Sequence, residues 1–180
     1  TDVSPKSFVC PHSKQTPFGQ DLTWTEIVEL WDFGPDPYRH VSYALHNPYG
    51  QFPAGEDRSA AFAVAADMSP WFVSGDIVPP GTGTDAPQFL SDHWTKPNVE
   101  KGLIMRANTS HHSYEGQNIV YADGHSSYEK TTDAGVAHDN IYTFWPTETP
   151  TEVERRIGQN PTARDKQNDA KSKDDSLLVI

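Results

Sequence analysis

Gln117-Asn118-Ile119-Val120-Tyr121-Ala122-Asp123-Gly124-His125-Ser126-Ser127-Tyr128-Glu129-Lys130 is the stretch on which the reading of this chain turns. Two short runs, IVYA and HSSY, flank Asp123-Gly124. A two-residue Asp-Gly loop favours a type I′ turn, whose twist matches that of the strands it joins, so the stretch is expected to form a β-hairpin. That register sets Ala122 opposite His125 and Ile119 opposite Tyr128 across the ladder.

Working outward, Val41–Leu45 (VSYAL) and Ala61–Ala66 (AFAVAA) are apolar runs of strand length bounded by turn residues. Asn140–Trp145 (NIYTFW) alternates aromatic and polar residues and reads as a further strand, as does Ser7–Pro11 (SFVCP), stopped by its proline. Thr23–Trp31 (TWTEIVELW) fits a helix by its spacing of Ile27, Leu30 and Trp31, and fits a strand by its β-branched and aromatic content. The Pro- and Gly-rich run Ser69–Asp92 reads as a long irregular excursion. The expected fold is mainly β or α+β: a small twisted antiparallel sheet with long irregular loops and little helix. Residues 1–157 are expected to form its folded body. Residues 158–175 are too polar to offset their ordering entropy by burial and are expected to be a mobile linker. Residues 176–180 (SLLVI) are an apolar C-terminal segment able to add a strand to a sheet edge or to stay disordered.

Composition narrows the function. A chain of 180 residues is about one domain. With 14 Lys plus Arg against 25 Asp plus Glu, a net charge of −11, it has no broad electrostatic grip on nucleic acid or anionic membrane. No run approaches the roughly 18–20 apolar residues of a membrane span, and TDVSPKSFVC has neither the basic start nor the apolar run of a signal peptide. Cys10 is the lone cysteine, so no internal disulfide or thiolate pair exists. Next to Pro11 and two residues from His12, it reads as a small buried hydrophobe rather than a nucleophile.

No nucleophile elbow, zinc-protease helix or Walker loop occurs, and no catalytic residue is assigned. Gly81-Thr82-Gly83-Thr84-Asp85-Ala86 matches the loose dinucleotide pattern, but prolines precede it in place of a strand and Pro87 follows where a helix should run. His111, His112, His125 and His138 fall in a short span with Asp123, Asp133 and Asp139. Imidazole and carboxylate suit a divalent ion, and the most economical set is His112, Asp123 and His125. The competing reading is structural: Asp123 and Gly124 serve the turn while His112 and His125 bond nearby backbone. No cofactor beyond such a cation is expected. Five Trp and seven Tyr in an acidic chain raise a sugar-binding module, set against the need for aromatics in the core.

Asn108-Thr109-Ser110-His111-His112 followed by Glu115-Gly116-Gln117-Asn118 and the Asp-Gly-His turn resembles the C-terminal signature of pseudopilin-like proteins of planctomycete bacteria. Their processing-associated domain carries a His, nine residues and Asp-Gly. Here ten residues, 113–122, separate His112 from Asp123. Phe8-Val9-Cys10-Pro11, Val41-Ser42-Tyr43-Ala44-Leu45, Ala65-Ala66-Asp67-Met68-Ser69-Pro70, Asp139-Asn140-Ile141-Tyr142-Thr143 and Asp175-Ser176-Leu177-Leu178 are similar to further family stretches, in the family's order. The family's usual prepilin cleavage site and long apolar helix are not in this sequence. The resemblance implies a pilin-like globular head, an extracytoplasmic place, and a non-enzymatic role in a filament or secretion-type assembly with copies of itself or other pilin-like subunits. A secreted carbohydrate-binding module and a metal-dependent hydrolase are the alternatives.

Overall fold

The computed structural model describes residues 3–19, 22–23, 25–26, 33, 36–73, 76–77, 107–161 and 169–179. Among the described residues seven short strands follow one another: β1 (Tyr43–His46), β2 (Ala63–Asp67), β3 (Phe72–Val73), β4 (Asp76–Ile77), β5 (Gln117–Tyr121), β6 (Ser126–Glu129) and β7 (Leu178–Val179). Five of them make one sheet in the order β6-β5-β2-β1-β7, every pair antiparallel. β3 and β4 pair separately. The architecture is an open antiparallel sheet with little helix, the fold class expected.

Side chains alternate across this sheet as the pleat requires. Ala44, Ala66 and Ile119 stand in register on the inner face and are buried. Leu45, Ala65 and Val120, one position away in register, face outward, with Leu45 54% and Val120 40% exposed. The alanines of β1 and β2 are too small to fill a core, and bulky groups do so: Trp71, Ile141 and Tyr142 from outside the sheet pack on that inner face with Leu178 of β7. A register shift between Ala63 and Ala65 keeps both Ala63 and Ala66 on the buried side.

The hairpin exists, but its register is one residue away from expectation. Ile119 faces Ser127, and Tyr128 faces Asn118. The loop is three residues long, closed by Gly124 N donating to Tyr121 O (2.9 Å) and Tyr121 N to His125 O (3.0 Å). Within that loop Gly124 alone takes a positive φ, +87°. This is a turn followed by a left-handed glycine, the usual three-residue solution, rather than the two-residue I′ loop. Asp123 Oδ1 accepts the His125 amide (3.0 Å), which favours a bent Asp before the glycine. Since a one-residue slip exchanges faces, Ile119 is fully buried while Tyr128 is 46% exposed.

Two expected strands are absent. Over Ser7–Pro11, Pro5–Phe8 forms a 3-10 turn whose Ser4 hydroxyl accepts Lys6 N, with proline at the helix start where its missing N–H costs nothing. Val9 is extended beyond it, but contact with the sheet runs through Ser42: its N–H donates to Phe8 O, and its Oγ accepts the Cys10 amide. Over Asn140–Trp145 the backbone winds through turns, and Phe144 makes only an isolated bridge to Gln159. Its alternating pattern misleads because both faces are buried. Asn140 and Thr143 lie inside with the aromatics, Asn140 Nδ2 donating to Arg156 O and Thr143 Oγ1 to Asn140 O.

In the ambiguous stretch Thr23–Trp31, residues 25 and 26 are helical, and Thr23 donates through both N and Oγ1 to Glu26 Oε2, a helix-start pattern. The rest of that stretch lies outside the described residues, as does most of Ser69–Asp92, including Gly81–Ala86. A helix at Glu152–Ile157 carries a full capping box between Thr151 and Glu154. Of the polar stretch 158–175, residues 162–168 lie outside the described residues. On its near side Gln159 N donates to Phe144 O (2.7 Å); on its far side Ala170 is buried. The SLLVI segment joins the chain's own sheet, Val179 opposite Leu45 and Leu178 opposite His46. Among the described residues no helix is long and apolar enough to cross a membrane.

Candidate functional site

Three segments far apart in sequence meet beside the end of β2. Asp67, its last residue, is buried, and Asp67 Oδ2 accepts from Asn118 N (2.7 Å) and Asn118 Nδ2 (3.0 Å) on β5. His112 Nε2 lies 3.0 Å from the same oxygen. His112 is delivered by a 3-10 turn, Ser110–His112, capped by Thr109 and ended by Ser113 and Tyr114, both left-handed at φ 56° and 62°. Buried Asn108 holds that loop down, Nδ2 donating to Tyr114 O (3.0 Å) and Lys130 O (2.7 Å). Cys10 arrives from the N-terminal segment, fixed by its amide on Ser42 Oγ (2.5 Å), while Met68 N donates to Ser42 O (3.0 Å).

The Cys10 Sγ, an Asp67 carboxylate oxygen and a His112 ring nitrogen all lie within 4.8 Å of one another. Cys10 and Asp67 are buried, and the His112 side chain is 22% exposed. The His12 ring stands 6.0 Å from that of His112 on one side, and Tyr128 stands edge-on at 6.1 Å on another. Low polarity governs the neighbours: burial lowers the pKa of His111 against the pull of Asp67, and burial, then Asp67, raises that of Tyr142 well above the phenol range. Tyr142 Oη donates to the Asp67 carbonyl (2.8 Å), tying the site to the core.

Of the expected trio His112, Asp123 and His125, the structure brings Asp123 and His125 together and sets His112 with other partners. His125 Nδ1 lies 2.5 Å from Asp123 Oδ1 at the exposed turn, and its ring stacks on Tyr121 at 4.4 Å. The His125 amide and then its ring hold the Asp123 carboxyl below its ordinary pKa. His111 is buried with Nδ1 lacking a hydrogen-bond partner. His138 is exposed at a positive φ of 67°, and Asp133 pairs with Arg156 at 2.5 Å. Among the described residues, Cys10, Asp67 and His112 are the one group of three such side chains with ligand atoms this close.

Asp139, the last of the span, belongs to a second buried cluster. It accepts from Trp145 Nε1 (2.6 Å) and Ser176 N (2.7 Å), and Asp175 accepts from Trp145 N (3.0 Å) and Lys171 N (2.7 Å). Burial, then the Asp175 charge, pushes the Asp139 carboxyl well above its ordinary range. Burial raises Asp175 to about 7 against the hydrogen bonds from Lys171 and Trp145, and its Oδ1 is buried without a partner. Burial makes both carboxyls harder to ionise, and their hydrogen bonds lash the C-terminal segment to the core. Sequence reading picked His112 but not Cys10 or Asp67 as its companions. The signal for them was the resemblance, since each falls in a stretch that carries it. Compared with known proteins, the chain matches no family model, no curated protein and no solved structure.

Proposed function

We propose that the chain is the globular head of a pilin-like or pseudopilin-like structural subunit, non-enzymatic and extracytoplasmic, which assembles with copies of itself or with other pilin-like subunits. The observation that carries this reading is that the stretches resembling that family are one another's bonding partners. Cys10 bonds Ser42, Met68 bonds Ser42, and Asp67 meets both His112 and Asn118. Asp139 accepts from Ser176, and Leu178 N donates to Ile141 O (2.8 Å). Residues scattered along a motif acquire a common purpose when they build the same two clusters of contacts, one around buried Asp67 and Ser42 and one around buried Asp139 and Leu178.

A net charge of −11 keeps such heads apart in solution, so assembly is expected to need a further interface or bridging cations. Immunogold labelling of source cells with antibody to this chain tests the reading. Labelled surface filaments or envelope assemblies are the expected result; label confined to the cytoplasm refutes it. The hydrolase alternative is separated by turnover: hydrolysis lost on His112→Ala would replace the structural reading with an enzymatic one. Glycan binding lost on changing an exposed aromatic such as Tyr49, 96% exposed, would favour the sugar-binding module.

A further inference from the structure

We propose that Cys10, Asp67 and His112 form a transition-metal site of the zinc class, a staple joining the N-terminal segment, the end of β2 and the loop before β5. The donor set argues for it. Thiolate, carboxylate and imidazole are the three side chains zinc takes, whereas calcium and magnesium ask for oxygen alone. One thiolate, one carboxylate and a neutral imidazole also cancel the two charges of the ion, as burial demands.

Geometry agrees. In a tetrahedral site with bonds of about 2.0–2.3 Å, neighbouring donors stand roughly 3.3–3.8 Å apart. The three ligand atoms already lie within 4.8 Å of one another, and His112 Nε2 and Asp67 Oδ2 at 3.0 Å. In the metal-free chain that last contact is an ordinary N–H···O hydrogen bond, and an ion would take the place of its proton. Asn118 supplies the outer support, its N and Nδ2 both donating to Asp67 Oδ2, as carboxylate ligands require. Three protein ligands leave a fourth position for water. This goes beyond the assembly role and does not depend on it.

Cobalt(II) titrated into the purified, chelator-treated chain tests the site without any mutation. One equivalent should produce the thiolate-to-cobalt charge-transfer band, and zinc should abolish it and raise the melting temperature. No band with the unaltered chain overturns the proposal. Cys10→Ser should remove the band, and Asp67→Asn should weaken zinc binding more than about 100-fold, beyond the loss typical of an outer-shell partner. Asp123→Ala and His125→Ala should leave the affinity unchanged. Binding that survives Cys10→Ser at full strength, or that vanishes with His125→Ala, also overturns it.

Discussion

Two Asp–His pairs in this molecule have the same chemistry and opposite standing. His125 and Asp123 sit two residues apart on the hairpin loop at 2.5 Å, with side chains 52% and 45% exposed. His112 and Asp67 come from different segments, lie 3.0 Å apart, and expose 22% and 2%. The shorter contact is the less consequential one. At the loop, water screens the charges and the turn already places the residues side by side. Beside β2, the carboxylate has left water, accepts from Asn118 as well as meeting His112, and joins three parts of the chain. Burial and sequence separation, not distance, decide which pair the fold depends on.

The sharpest way to break that comparison is Asp67→Ala. Removing the buried carboxylate leaves Asn118 N and Nδ2 and the His112 ring without their common acceptor, an expected cost of about 3 kcal/mol, read by urea unfolding. A loss as small as that of an exposed pair would place both pairs in one class.

A pH series probes the buried carboxylates next to Trp145. Raised to about 7, Asp175 keeps in the folded state a proton that the unfolded chain releases near pH 4. Its contribution is therefore full below pH 4 and is lost as pH rises through 7, and Asp139, shifted in the same direction, adds with the same sign. The expected loss across that window is about 2–4 kcal/mol, at 1.36 kcal/mol per unit of pKa. Asp175→Asn should flatten it; stability that instead rises from pH 4 to 7 in the unaltered chain would show that these groups are ionised when folded.

Gly124→Val tests the loop's backbone apart from its Asp–His contact. No atom lies within 4 Å of the site a Cβ would occupy, so the expected loss of about 1–3 kcal/mol comes from the +87° φ alone. An unchanged denaturation midpoint would mean that the loop relaxes to another turn. Smallest of all, His125→Ala should leave the midpoint within experimental scatter, since its partner is exposed. A large loss there would raise the loop pair to the rank of the buried one.

What the sequence disclosed was local. β1, β2 and the hairpin were legible because apolar runs and an Asp-Gly turn encode themselves within a few residues. The hairpin's register was not, because Asp-Gly serves both a two-residue loop and a three-residue loop, and the choice depends on which face the neighbouring strand covers. Asn140–Trp145 misled because its aromatic–polar alternation imitates a half-buried strand, whereas every one of its positions is buried in a run of turns. The site was half legible: His112 stood out in a histidine cluster, yet proximity in sequence pointed it to Asp123 and His125. Its companions lie 45 and 102 residues away at Asp67 and Cys10, and apart from the resemblance of their stretches nothing in the sequence ties residues at such range together.

The placement of β7 has a consequence for how the chain reaches its fold. The β5–β6 hairpin closes a three-residue loop and can form within microseconds. β7 pairs Val179 with Leu45, residues 134 positions apart, so this ladder must wait for the costliest loop closure in the sheet. Until it arrives, β1 presents an open strand edge that another copy's tail can occupy as readily as its own. Refolding yield should then fall as protein concentration rises, with the losses set during that interval rather than by the stability of the finished sheet.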